Sequence, residues 1–544
     1  MSSSATYSIG IDLGTTNSAV SYFELKRTSA RGREQSTLAI PQVTAVGTVE
    51  NKNLLPSFLY LPNAQEFPAD ALTLPWHAKA KKKPAPTDAL VGEFARAHGA
   101  KVPARLVSSA KSWLSHSGVD RQAAILPWQA PADVTRISPV EASRAYLAHL
   151  RAAWDNQFPD TPFSAQDIVL TVPASFDAAA RDLTLAAAQQ AGLQNVTLLE
   201  EPQAAFYAWT EQAGEGFRKH VRPGDVILVV DVGGGTSDFS LIAVTDRAGE
   251  VELTRIAVGD HILLGGDNMD LALAYTVNQR LTTEGKKLDS WQFTALTHAC
   301  RAAKEAMLAD TKLARAPLVI PGRGSSLIGG TIKAELARDE LTRVLTDGFF
   351  PEVAVTDLPK TARSTGLAQI ALPYAQDAAV TRHLAAFLIR QAKSLAASHT
   401  PELAALGSKL SASSTFIHPT AILFNGGVFK SQVLRQRVLD VLNSWLKSDG
   451  GQSAADLSGA ELDLAVARGA AYYGWARHGH GLRIRGGTAR AYYVGIESAM
   501  PAVPGMEPPV RALCVAPFGM EEGTTADVPP QEFGLVVGEP TRFR

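Results

Sequence analysis

Two short stretches put carboxylates, hydroxyls and glycines where they can do chemistry on a phosphate. The first is Asp12-Leu13-Gly14-Thr15-Thr16-Asn17-Ser18, which closes the apolar run "YSIGI". The second is Asp231-Val232-Gly233-Gly234-Gly235-Thr236-Ser237-Asp238, which closes "DVILVV". Glycine at a strand end lets backbone N–H groups approach an anion, threonines offer hydroxyls, and a nearby aspartate holds a cation by way of water. Either stretch alone also reads as a plain hairpin, with a tight glycine turn and a solvated aspartate. The second carries more weight. Glycine costs about 0.5–1 kcal/mol per residue in regular structure, and a hairpin has no need of Asp231 and Asp238 flanking three glycines, whereas a magnesium nucleotide does.

The two stretches echo each other. Both run Asp, aliphatic, Gly, two small residues, then Ser, with Ser18 matching Ser237 and Ser21 matching Ser240. Each follows an apolar strand and leads into an alternating one, "AVSYFEL" or "FSLIAV". The matched offsets favour a duplicated α/β lobe over chance, with two cradles facing one ligand. Two further glycine pairs precede helical patterns: Gly265-Gly266 in "LLGGDNMD" and Gly426-Gly427 in "LFNGGVFK". A glycine pair there suits the phosphate or sugar edge of a nucleotide, and each pair is a weak signal by itself.

The elements that must position these groups alternate between strand and helix. Ser138-Pro139-Val140-Glu141 opens a helix with a capping box and proline at its first position. "DIVLTVPASF" reads as a buried strand ending at Pro173, "AAARDLTLAAAQQAG" as a helix closed by Gly192, and "VTLLEEPQAAFYAW" as strand, turn and helix. This alternation predicts a largely parallel or mixed sheet with covered faces. Residues 26–37, 76–87, 357–369 and 448–459 read as surface insertions, and the lysine run at 79–83 as a solvated loop. After residue 488 the chain turns to Pro, Gly and Val in short alternating runs and reads as β-rich. It stops at "GLVVGEPTRFR", near a strand signal, which hints at a truncated chain or a very small second domain.

With 544 residues, the chain has ample length for several domains or one multi-lobed unit. Its 52 basic and 53 acidic side chains leave a net charge of −1, so there is no global footprint for nucleic acid or an anionic membrane. Cys300 and Cys514, far apart in sequence, make neither a disulfide framework nor a zinc site and point to a reducing compartment. The N-terminus lacks a basic leader region, and runs such as "VILVV" are too short to span a bilayer. A cytoplasmic protein is expected.

Seven stretches then occur in a familiar order: "IGIDLGTTNSAV", "LTVPASFDAAAR", "LLEEPQAAFYAW", "LVVDVGGGTSDFSL", "LLGGDNMD", "FNGGVFK" and "DLAVARGAAYYG". Together they resemble the DnaK-type chaperones, the heat-shock-protein-70 class, over roughly residues 7 to 480. The resemblance implies an actin-like ATPase fold: two lobes, each a mixed β-sheet flanked by helices, with ATP in the cleft. It implies phosphate loops at Gly14, Thr15 and Thr16 and at Gly233 to Thr236. Asp12 and Asp231 fall at its cation-organising positions, Glu201 at its cleft carboxylate, and Lys111 at the lysine that orients the attacking water. Gly265, Gly266, Arg301, Lys304, Glu305, Gly426, Gly427, Lys430 and Asp463 fall at its adenosine site. Pro173 and Arg181 match its interdomain-signalling positions. The implied cofactors are ATP or ADP with Mg²⁺, and K⁺ as a further cation. The implied partners are an unfolded polypeptide or specific client, a J-domain co-chaperone and a nucleotide exchange factor, acting on a monomer without nucleic acid or membrane.

Departures gather at the adenosine site. Arg301 stands at a usually acidic position, Glu305 where the family has an arginine that stacks on adenine, and Lys430 replaces another adenine-facing arginine. A carboxylate cannot stack on a purine as a guanidinium plane does. Arg301 and Glu305, four apart on one helix, are expected to pair with each other, leaving base recognition weak and phosphate recognition intact. The expected division is an ATPase domain over 1–482, a linker over 483–490 that lacks the family's acidic, leucine-rich strand, and a β-rich segment over 491–544, the possible start of a substrate-binding domain. Two other readings share the phosphate turns: a sugar or acid kinase, and a nucleotide-gated scaffold with little hydrolysis.

Overall fold

Each phosphate-turn stretch folds as a hairpin at the centre of its own sheet in the computed structural model. The structure describes residues 5–26, 35–68, 70–79, 88–247, 250–322, 331–360, 372–396, 415–457, 461–479, 484–485, 491–497 and 510–517, with a few isolated positions besides. In the first lobe the strands run Val196–Glu200, Asp167–Val172, Tyr7–Leu13, Asn17–Glu24, Ser36–Thr37 across the sheet. In the second they run Ala455–Asp456, Ala421–Asn425, Val226–Val232, Ser237–Arg247, Glu250–Val258, Ile484–Arg485. From the outer strand inward, both sheets pair parallel, parallel, antiparallel, antiparallel. Asp12 faces Ala19 across one hairpin and Asp231 faces Asp238 across the other, in the same register. The sequence echo is a structural duplication.

The central strands read as continuous apolar runs because both faces are covered. All seven residues of Val226–Val232 are buried. The capping box at Ser138 forms as expected: Ser138 Oγ accepts from the Glu141 backbone at 3.1 Å, and the Ser138 N–H donates to Glu141 at 2.7 Å. Its helix, Pro139–Gln157, packs Trp154, Leu147 and Leu150 on the first sheet. Helix Ala178–Gln190 follows, N-capped by Asp177.

Helices Glu201–Ala213 and Ala465–Arg477 cross where the lobes meet and share a core with strands of both sheets. Their approach depends on Gly469, where a β-carbon would fall 1.6 Å from the carbonyl oxygen of Ala204. This seam sets the width of the cleft above it.

Two expectations for the periphery change. Residues 448–459 are not a simple insertion: Ala455–Asp456 forms an edge strand, and its neighbours Ala454 and Leu457 are buried. Within the expected linker, Ile484–Arg485 pairs parallel with Leu253–Thr254 and extends the second sheet. Beyond it, Tyr492–Glu497 and Val510–Ala516 form an antiparallel pair. Most of the lysine run and residues 27–34 and 361–371 lie outside the described residues. Among the described residues no helix is long and apolar enough to cross a membrane.

Candidate functional site

The two phosphate turns meet. A β-carbon on Gly234 would lie 2.0 Å from Thr16 Oγ1, so the second turn closes on the first only because residue 234 has no side chain. Above them opens a cleft of about 750 Å³. Asp12, Gly14, Thr15 and Thr16 line it from the first lobe and Asp231, Gly233, Gly234 and Thr236 from the second. Gly235 lies behind that wall against Ser112 and Thr15, and Gly265 behind it against the Gly233 and Gly234 backbone.

Lys111 and Glu201 form the polar centre. Lys111 belongs to the five-residue helix Ala110–Leu114 and is 7% exposed, far from the solvated helix lysine its sequence context suggests. Its Nζ lies 2.5 Å from Glu201 Oε1 at the start of the crossing helix. Burial opposes the charge on Lys111, but Glu201, Asp12 and Asp231 outweigh it and hold the ammonium protonated beyond the ordinary lysine range. The same burial pushes Asp12 up to about 7, reinforced by the charge of Glu201 and opposed by Lys111. Asp231 is raised by burial and then by Glu201, while a hydrogen bond of 2.7 Å from Asn425 Nδ2 works the other way. Three carboxylates, Asp231 buried and Asp12 and Glu201 half-buried, thus face one lysine. That excess of negative charge suits a cation, and the glycine turns suit the anion that accompanies it.

The residues expected at the adenosine site also come together. Gly266, Arg301, Lys304, Glu305, Gly426, Gly427, Lys430 and Asp463 all line the cleft. Their pairing differs from the expectation. Arg301 does not pair with Glu305; it reaches Asp267 at 2.5 Å and Asp270 at 2.7 Å, both from the "GGDNMD" stretch. Lys304 joins the same cluster, 2.7 Å from Asp270 and 3.1 Å from the Gly266 carbonyl. The reason is burial. Asp270 is 1% exposed and requires cations, whereas Glu305 is exposed. Lys430 pairs with Asp463 at 2.5 Å.

Residues beyond the expected set complete the site. Ser109 of the first lobe donates to Asp267 of the second, and the Arg301 guanidinium sits 5.6 Å from the Phe58 ring centroid, so the cleft mouth is tied across the lobes. Asp238, flanking the glycines in sequence, turns away from the cleft and accepts from Ser175. Pro173 and Arg181 also lie outside the cleft lining. Arg181 bonds Glu200 at 3.0 Å, and Glu200 also pairs with Arg255 of the second sheet.

A family model described as Hsp70 protein matches residues 8–353. The chain belongs to the Hsp70 family. It is similar to the chaperone protein HscA homolog of Bordetella pertussis, 32% identical over 335 residues, covering 60% of this chain and 44% of the relative. The HscA homolog of Methylococcus capsulatus is 31% identical over 372 residues, covering 66% of this chain and 50% of the relative. That of Variovorax paradoxus is 38% identical over 216 residues, covering 39% and 30%. The chain thus spans half or less of the length of these relatives. Membership of the Hsp70 family accounts for the actin-like two-lobed architecture, and the duplicated glycine-rich hairpins are its visible signature here.

Proposed function

We propose that this chain is the nucleotide-binding and hydrolysing part of a DnaK-type chaperone, in which the nucleotide state governs the binding of a polypeptide. The observation that carries this reading is the Lys111–Glu201 pair set between Asp12 and Asp231 and directly beside two facing phosphate turns. Relatives named as chaperones support the cellular role, and family membership weighs against the sugar- or acid-kinase reading. The proposed division keeps an ATPase domain over 1–482, a linker over 483–490 and the β-rich segment over 491–544.

In this reading Gly14, Thr15, Thr16 and Gly233 to Thr236 bind the phosphates through backbone N–H groups and hydroxyls. Asp12 and Asp231 would hold Mg²⁺ through its waters, and the cation supplies charge neutralisation on the phosphate chain. Among the described residues no three side chains of ligating type form a direct metal cage. Glu201 holds Lys111 in place, and Lys111 orients the attacking water and stabilises charge at the γ-phosphate. The groups lining the adenosine end are Gly266, Lys304, Glu305, Gly426, Gly427, Lys430 and Asp463; K⁺ is a further candidate cation. A polypeptide client, a J-domain co-chaperone and an exchange factor are the proposed partners, and the cytoplasm the proposed compartment.

Calorimetric titration with ATP and Mg²⁺, followed by phosphate release with no acceptor present, tests the proposal. Binding with slow release to water is expected. Release only when a sugar or carboxylic acid is supplied overturns it in favour of a kinase.

A further inference from the structure

Beside the cleft, but outside its lining, a chain of hydrogen bonds passes from one lobe to the other and back. His261 belongs to the second-lobe loop after strand Glu250–Val258. It sits between two serines of the first lobe: Nδ1 is 2.7 Å from Ser175 Oγ, and Nε2 is 2.8 Å from Ser115 Oγ. Ser175 donates to Asp238 Oδ1 at 2.5 Å, returning the chain to the second lobe.

The proton count fixes the direction. Ser175 gives its one hydroxyl proton to Asp238, so its oxygen accepts, and Nδ1 of His261 carries the hydrogen. Nε2 of the neutral ring faces the Ser115 hydroxyl, whose one proton is divided between that nitrogen and the Ser112 carbonyl, to which it donates at 2.9 Å. Burial holds the imidazole below its ordinary pKa, in keeping with a neutral ring.

What hangs on this chain is the helix of Lys111. Ser115 is the C-cap of Ala110–Leu114, one turn from Lys111. Ser112, on the same helix, packs against the second phosphate turn: a β-carbon on Gly235 would lie 2.5 Å from Ser112 Oγ. Ser112 Oγ has no hydrogen-bond partner among the described residues, so this contact is steric and does not hold the helix by itself. At about 1.5 Å rise per residue the helix is too short to absorb a shift at one end. A displacement at Ser115 passes on to Lys111.

We propose that His261 is a positioning residue for hydrolysis, fixing the Lys111 helix to the second lobe through Ser115 while Ser175 and Asp238 fix the imidazole. His261 touches no reacting atom. Its action rests on the role of Lys111 set out above, and it requires both lobes, so it is exerted only when they are closed on each other.

Ser175→Ala removes the Nδ1 partner and the link to Asp238 without altering Lys111, and Ser175→Thr keeps a hydroxyl. His261→Gln can reach only one of the two serines. Three quantities are measured on the full chain: single-turnover hydrolysis, ATP affinity by calorimetry, and hydrogen exchange at amides 110–116. Small misplacements of a catalytic group cost up to about 100-fold in rate. The expected result is a loss of about 10- to 100-fold in rate for Ser175→Ala and His261→Gln, with ATP affinity within about twofold and faster exchange at 110–116. Ser175→Thr should recover most of the rate. Parent-like rates and exchange in both variants overturn the proposal, as does a parallel fall of affinity, rate and melting temperature that Ser175→Thr fails to correct. If the parent binds ATP and releases no phosphate, it is the functional reading that falls. The exchange arm then still decides whether Ser175 and His261 hold the helix.

Discussion

Arg301 ends 2.7 Å from a carboxylate oxygen of Asp270, on the helix packed against its own. Glu305, four residues along the Arg301 helix, takes no part in that pair. Since Asp267 binds the same guanidinium, the acidic "GGDNMD" turn and the basic face of "CRAAK" interlock as one cluster. Burial disfavours the charge on Arg301, but Asp267 and Asp270 hold it firmly protonated.

The cluster decides what a charge swap between residues 301 and 305 does. Arg301→Glu combined with Glu305→Arg would set a third carboxylate beside Asp267 and Asp270 and leave both without their arginine. Breaking a buried ion pair by removing one partner costs about 3–5 kcal/mol. The double variant should therefore unfold at lower urea concentration and bind ATP more weakly, whatever its preference between ATP and GTP. Parent-like stability in chemical denaturation would show that the arginine is dispensable.

Lys111→Ala should slow single-turnover hydrolysis by about 10²–10³-fold, the usual effect of removing one transition-state stabiliser. ATP binding should largely persist, because the phosphate turns do not include Lys111. Glu201→Gln is expected to act in the same direction with a smaller effect, since it releases Lys111 from its 2.5 Å partner without removing the charge. Rapid-quench measurement on both variants checks the order, and a parent-like Lys111→Ala rate removes the lysine from the mechanism.

Asp231→Asn should weaken magnesium-dependent ATP binding more than metal-free ADP binding, because the carboxylate would act through the cation's waters. Asn425, which donates to Asp231 at 2.7 Å, can still find an amide oxygen in the variant, so the fold should hold. Titration with and without Mg²⁺ decides. Equal losses would mean that Asp231 serves the strand end alone.

Much of the site was legible because it is built locally. The phosphate turns, the Ser138 capping box and the Asp177–Gln190 region each depend on residues adjacent in sequence, where periodicity and turn chemistry speak directly. The partner of Arg301 differs from the expected Glu305 because a pair four apart on one helix is visible in sequence, while Asp270, 31 residues away, competes only once the two helices pack. His261 was missed for the same reason: Ser115, Ser175 and Asp238 come from three separate segments, and a lone histidine gives no periodic signal. Lys111 stood out only by resemblance, since its burial arises from closure of one lobe on the other.

Acid should destabilise the protein through His149. The ring is 7% exposed, its Nε2–H donates to the Pro41 carbonyl at 2.9 Å, and burial depresses its pKa to about 4. In the unfolded chain a histidine titrates near 6.5. Between these values the unfolded state binds the extra proton, so stability rises with pH across the window and is lost as pH falls from about 6.5 to about 4. The full effect is on the order of 3 kcal/mol. His149→Gln keeps an N–H for Pro41 and cannot titrate, so its urea midpoint should vary less with pH over that window. An unchanged pH slope assigns the acid limb to other groups.

The contact between Gly234 and Thr16 gives the sharpest test of the facing turns. A methyl group at 234 would fall 2.0 Å from Thr16 Oγ1 but 3.4 Å from Thr16 Cβ. The clash is therefore with one hydroxyl. Gly234→Ala should force the turns apart and cut ATP affinity by about tenfold or more, a loss near 1.4 kcal/mol. Thr16→Ala alone should cost less, since it removes one hydroxyl from a site with many donors. The double variant removes the clashing atom and leaves ordinary van der Waals spacing, so it should bind ATP better than Gly234→Ala does. Such a reversal is a coupling energy between the two positions, measurable by a double-mutant cycle in calorimetry. Additive losses would mean that the turns do not close on each other when nucleotide binds.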